Sequence, residues 1–275
     1  MFANAGFTRR MAVGSAAIVV LASLAVSAYA MRVSPMVSEL TTSGAGSTAR
    51  VEVGNVGAAV LPFDTLLTRM EVDPEGNIVE TPADEEFLVF PPQGLVPVGG
   101  RQVVRVQWVG PASLDASQAY YLWIRQLPID IEPNPETEMG AAAIQVLYTM
   151  KALIVVAPPG AEPNIELVSA VPAMITPNTP DLSDVSGTVE QIEPTTGVEI
   201  VVRNTGRRYA LMSGANWSVE GTDVSGQPFV QSYTADEISQ SVGVGYVQPL
   251  NGTRKFQLPT SAALDGTKPI KIKFS

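Results

Sequence analysis

The chain has 275 residues, with 27 acidic against 17 basic side chains and neither cysteine nor histidine. Lacking both residue types, it has no disulfide, thiol chemistry, thiolate-bound zinc or Ser-His-Asp triad, and it lacks the usual general base. The acidic balance sets it against nucleic acid and anionic membrane surfaces, both of which would repel it.

In the first thirty residues the only charges are Arg9 and Arg10, and Met11 to Ala28 is apolar apart from Gly and Ser. The run ends in Ala28-Tyr29-Ala30, a small-x-small pattern just before Met31. A positive start, an apolar middle and such a site predict an export signal over residues 1–30, with the mature protein in the periplasm. The alternative is an uncleaved anchor, since about 18 apolar residues approach the span of a bilayer. Cleavage leaves 245 residues carrying 15 basic and 27 acidic side chains, a net charge of −12 and room for two domains. No later apolar run is long enough to span, so no membrane insertion is expected after cleavage.

From there short alternating stretches rich in Val, Ile, Tyr and Trp recur between Pro, Gly, Asn and Asp, the pattern of half-buried antiparallel strands. Val51 to Asn55, Val104 to Trp108 and Tyr120 to Leu127 are three of them. Asp73-Pro74-Glu75-Gly76-Asn77 reads as a hairpin turn, with Pro presetting φ and Gly accepting a positive φ. As a calcium loop it lacks the later acidic ligands. Ala157 to Pro163 holds three prolines and a glycine and ends a long strand-like run, which predicts a domain boundary. Strand-like segments resume at Ile165 to Val171, Val198 to Arg203, Leu211 to Val219, Gly245 to Val247, Lys255 to Leu258 and Ile270 to Phe274. Pro177 to Pro194, rich in Asp, Ser, Thr and Pro, is expected to be a long loop, and no long helical periodicity follows residue 30. The expected fold is all-β: two Ig-like sandwiches, residues 31–159 and 160–275, joined by a short Pro-rich hinge.

The order of motifs in the first domain resembles the PapD-like periplasmic pilus chaperones along nearly its whole length. The motifs are Val51 to Asn55; Phe87-Leu88-Val89-Phe90-Pro91-Pro92 leading through Leu95, Pro97, Gly99 and Gly100 into Val103 to Val106; and Tyr121-Leu122-Trp123-Ile124-Arg125-Gln126-Leu127-Pro128. A polar loop and a strand from Ile144 to Val156 follow, and the second domain matches more loosely through Val202 to Gly206 and Gly245 to Val247. The resemblance implies a boomerang-like pair of domains that binds pilus or fibre subunits, incomplete Ig-like folds whose open groove and edge would otherwise aggregate. It implies strand donation by β-augmentation, followed by delivery to an outer-membrane usher, with no cofactor, metal or catalysis.

On that reading Ala142, Ile144, Val146, Tyr148 and Met150 form the face of the donor strand that enters the client's groove. Read without the resemblance, the same residues belong to the last strand of a sandwich with its apolar face in its own core. The acidic loop Asp130 to Glu138 precedes it and is expected to order when the strand finds a client. The resemblance also implies a cationic anchor for the client's terminal carboxylate. Lys151 lies near the expected strand position, with Leu153 the equivalent by proline spacing. On the first strand Met36 or Val37 falls where the family has Arg, leaving Arg32 upstream as the candidate. Arg105 and Arg125 match family positions but are assigned no interdomain ion pair, since Ser117-Gln118 stands where the acidic partner would be. The exposed edge also suits self-association.

Two other functions compete. A two-domain structural or adhesive surface protein would share the sandwiches, but such a subunit should carry an apolar donor extension ahead of its first strand. A carboxylate hydrolase would draw on Glu85-Glu86 or Asp236-Glu237, and adjacency in sequence says nothing of two carboxylates held across a cleft.

Overall fold

The computed structural model describes residues 31–128, 146–176 and 193–275. The expected export segment, the loop Asp130 to Glu138, all but the end of the loop from Pro177, and the donor positions Ala142 and Ile144 lie outside the described residues.

Ten strands build the first sandwich: β1 (Met31–Ser34), β2 (Val37–Thr41), β3 (Thr48–Asn55), β4 (Leu61–Val72), β5 (Ile78–Pro82), β6 (Phe87–Phe90), β7 (Gln93–Val96), β8 (Arg101–Trp108), β9 (Gln118–Gln126) and β10 (Thr149–Ala157). One sheet runs β1-β3-β8-β6 and the other β2-β10-β9-β4-β5, with β7 on β4. Alternation does the sorting: Val51 and Val53 on β3, and Val104 and Val106 on β8, are fully buried, while Arg50 before the first pair and Arg105 within the second face water. They meet Phe63, Leu67, Leu122, Ile124 and Ile154 of the opposite sheet. Phe87, Trp108 and Tyr120 close one end of this core with ring centroids 4.8–5.9 Å apart. The N-terminal strand changes sheets at Pro35, which has no N–H to continue a ladder. Thus β1 lies antiparallel to β3, while β2 lies parallel to β10.

The second sandwich comprises β11 (Ile165–Ile175), β12 (Thr195–Asn204), β13 (Ala210–Leu211), β14 (Trp217–Thr222), β15 (Pro228–Tyr233), α1 (Ala235–Val242), β16 (Tyr246–Val247), β17 (Gly252–Pro259) and β18 (Lys271–Phe274). Its sheets run β11-β12-β17 and β15-β14-β18, with β13 paired to β16. Trp217, buried between them, meets Phe256 and Phe274 edge-on. The tandem sandwiches expected from the strand pattern are therefore present. The eight-residue helix α1 was not anticipated, because its length is too short for periodicity to show. A capping box starts it: Thr234 Oγ1 accepts from Glu237 N–H, and the Glu237 carboxylate accepts from Thr234 N–H at 2.8 Å. Asp236-Glu237, weighed above as a catalytic pair, is the first turn of this helix.

Both sandwiches turn the same corner with a buried asparagine. At the end of β3, Asn55 donates to the carbonyls of Ala59 and Val96 and accepts from Gly57 N–H. At the end of β12, Asn204 donates to Arg208 and Val247 carbonyls and accepts from the N–H groups of Asn164 and Gly206. Each amide thereby satisfies buried backbone groups that no ladder reaches. Asn204→Ala is expected to destabilise the second sandwich by about 1–3 kcal/mol through the buried groups left unpaired, read as a lower urea midpoint at unchanged slope.

Candidate functional site

β10 is the strand on which the site is built. Its even-numbered residues continue one face: Ala152, Ile154 and Val156 sit in the first core, and Met150 and Tyr148 pack on its margin. Val146 is 59% exposed. The face assigned from sequence to the client is thus the strand's own core face, running out past the end of the sandwich. The regular strand begins at Thr149, later than the sequence suggests, although Tyr148 O still accepts from Gln126 N–H.

Along one edge β10 pairs with β9 from Thr149 to Val156. Along the other, β2 pairs only from Leu153 to Ala157, beginning with Leu153 N–H to Met36 O at 2.8 Å. Among the described residues, no strand takes the stretch from Thr149 to Ala152 on that second edge. It is an open edge carried on an otherwise well-buried strand.

The odd-numbered residues of β10 face outward. Leu153 and Val155 are buried in a cluster shared by the two sandwiches, with Met70 and Ala119 from the first and Tyr209 and Tyr246 from the second. The two tyrosine rings stack 5.5 Å apart. Around them, Ser117 Oγ accepts from Tyr209 N–H at 2.8 Å, and Arg207 Nε donates to Asp115 O at 2.7 Å. Glu39 on β2 accepts from both Arg208 and the Tyr209 hydroxyl. Burial alone would raise the Glu39 carboxyl, but these two donors outweigh it and hold it below the ordinary carboxylate value. In the link from β10 to β11, the backbone of Glu162 to Asn164 lies against Gly206, where a Cβ would come within 2.3 Å of Glu162 O.

Above this cluster the outward face carries a polar knot. Lys151 Nζ donates to Glu80 on β5 at 2.7 Å and sits 3.7 Å from the centre of the Trp123 ring, a cation–π contact. Trp123 Nε1 and Thr68 Oγ1 donate to the second Glu80 oxygen. Lys151 therefore leans across β9 and β4, away from the open edge. Burial tends to raise the Glu80 carboxyl, but the hydrogen bonds from Lys151, Thr68 and Trp123, together with the lysine's charge, lower it overall.

Arg32 is elsewhere. Flanked by buried Met31 and Val33, it points out from the β1 sheet and pairs with Glu52 at 3.2 Å. Lys151, flanked by the inward Met150 and Ala152, stands on the outer face of the opposite sheet. The two cations do not form one carboxylate anchor, because side-chain parity sends them to opposite faces of the sandwich. Arg125 grips Asp64 through two bonds of 2.6 and 2.9 Å, and Arg105 donates to Gln107, both within the first sandwich. Among the described residues, the ion pairs between the sandwiches are Arg208–Glu39 and Lys255–Glu75, neither marked by any motif. Glu86, the other weighed carboxylate, accepts from the buried Tyr120 hydroxyl.

No protein-family model matches this chain, and no curated protein matches it. Solved structures do. One is a chain of the CsuC–CsuE chaperone–tip adhesion subunit pre-assembly complex from the archaic chaperone-usher Csu pili of Acinetobacter baumannii. The TM-score is 0.50 at 12% identity, covering 88% of this chain and 97% of that one. The YadV chaperone gives 0.50 at 11% identity, covering 89% and 91%. At such identities the likeness establishes the fold alone.

A carboxyl held low by its donors stabilises the folded state above its unfolded pKa, and that contribution disappears as pH falls through the folded value. Glu80→Gln is accordingly expected to cost stability at neutral pH and progressively less toward acid. Urea midpoints of both proteins from neutral pH down through the carboxylate range should converge; parallel curves would show that Glu80 is not held this way.

Proposed function

We propose that this protein is a periplasmic chaperone of the chaperone-usher type, binding the subunits of a surface fibre by strand donation and passing them to an outer-membrane usher. The observation that carries the reading is β10: an apolar face that leaves its own core at Tyr148 and is exposed by Val146, beside an edge that β2 leaves open from Thr149 to Ala152. An incomplete Ig-like client needs both things, a row of alternate apolar side chains for its groove and backbone groups to complete its ladder. Val146, Tyr148 and Met150 are the described members of the donor face; Ala142 and Ile144 extend it in sequence. The fold supports the same reading, since the solved structures similar to it are a chaperone alone and a chaperone complexed with a tip adhesion subunit.

On this proposal residues 1–30 direct export and are removed, residues 31–159 carry the donor strand, and residues 160–275 form the second domain. On this reading the protein works by binding, without catalysis: of the four carboxylates weighed for hydrolysis, Glu86 and Glu237 are spent on Tyr120 and on the cap of α1, and Glu85 and Asp236 are exposed. Lys151 would meet the end of a client strand only after leaving Glu80.

Affinity capture from the native periplasm, with mass spectrometry of what is retained, tests the reading. Val146→Asp places a charge on the exposed part of the donor face, where it leaves the core untouched. Wild type should retain a small β-rich secreted protein and the folded variant should lose it. Retention of the same partner by both would move the interface away from β10, and retention of none in fibre-producing cells would favour a structural surface protein instead.

A further inference from the structure

Besides the covalent link from Ala157 to Pro163 and the contact centred on Tyr209 and Tyr246, a third connection joins the sandwiches: the β4–β5 hairpin, which leaves the first sandwich and ends on the second. Its turn is closed by Asp73 Oδ1, which accepts from Gly76 N–H at 2.7 Å and Asn77 N–H at 2.8 Å. Pro74 O then accepts from the backbone N–H of Lys255 on β17 at 2.8 Å and from Arg254 Nη1 at 3.4 Å. Val72 O, at the end of β4 two residues earlier, accepts from Gln248 Nε2 at 2.8 Å. The Arg254 guanidinium fills the space over Gly76, 2.0 Å from where a Cβ would stand, and Gly76 has φ +101°. Arg254 Nε is buried with no hydrogen-bond partner, so a cation is partly stripped of water simply to lie on this turn.

The second strand of the same hairpin carries Glu80, and Glu80 holds Lys151 on β10 beside the open edge. Five residue pairs, Thr68↔Pro82 to Val72↔Ile78, stiffen the segment between these two contacts. One short element therefore touches both the edge strand and the second domain, by a route that bypasses the hinge.

We propose that the β4–β5 hairpin is a strut: docked at its tip on β17, it sets the angle between the sandwiches, and through Glu80 and Lys151 it couples that angle to the edge strand β10. Only the identity of what pairs with that edge rests on the assembly reading above; the mechanical coupling does not.

The absence of cysteine makes the test direct. Spin labels at Ala58→Cys and Gln240→Cys, both exposed and one in each sandwich, report the interdomain distance in the full mature chain by pulsed electron paramagnetic resonance. With the hairpin intact the distribution should be single and narrow. Gly76→Val, which puts a branched side chain at positive φ into the space of Arg254, should broaden it. The pair Arg254→Ala and Gln248→Ala should do the same while leaving the hairpin sequence untouched, which guards against a turn that simply misfolds. Glu80→Gln should broaden it too, with the β-sheet circular dichroism unchanged. An unchanged distribution in the Arg254/Gln248 variant would overturn the strut. Broadening by the tip variants without any effect of Glu80→Gln would overturn the coupling. No client takes part, so this result and the capture experiment fail independently.

Discussion

The double-sided burial of β10 is the constraint on which the rest depends. Ala152, Ile154 and Val156 fill the first core while Leu153 and Val155 fill the contact between sandwiches, so the lower half of this strand has no solvent face at all. A slip of one residue would exchange the two sets and place Lys151 and Thr149 toward the core, which fixes register strongly. The upper half inherits that register without being covered on its second edge. Apolar burial at one end of the strand thus holds an unprotected ladder at the other, and it does so with ordinary alternation of side chains.

The same strand explains how the domains stay together in a chain of strongly acidic charge. The contact is apolar at its centre, stacked tyrosines on β10, and polar at its margin, where Glu39, Ser117 and Asp115 meet Arg207, Arg208 and Tyr209. Glu39 in this contact, and Glu80 in the polar knot beside it, are each surrounded by donors that outweigh the cost of burial. Negative charge is abundant on this protein, yet at these two positions it is held by one cation each together with neutral donors.

The sandwiches were legible because alternation is a local signal: Val-x-Val at residues 51–53, Val-x-Val at 104–106 and the Tyr-Trp strand at 120–127 each declare a strand within a few positions. The end of β10 at Ala157 was legible because the prolines that follow cannot join a central ladder. What sequence could not show is what lies far apart in the chain. Glu80 and Lys151 are 71 positions apart, and Arg208 and Glu39 are 169, with no pattern marking either pair. Arg32 misled for a related reason: its nearness to the expected strand position was visible, but the crossing of the first strand between sheets at Pro35, which decides its face, was not. In α1 the signal existed, a Thr-x-x-Glu box at residues 234–237, but eight residues are too few for a helical period to stand out.

The start of β2 has a geometric consequence of its own. Because β2 occupies the second edge of β10 from Leu153 onward, the open edge from Thr149 to Ala152 ends at a fixed point. Any guest strand lying there, in either direction, abuts Met36 at one end. The first strand of the chain, by changing sheets where it does, is the end-stop of a ruler: it defines where along the ladder an added strand must halt.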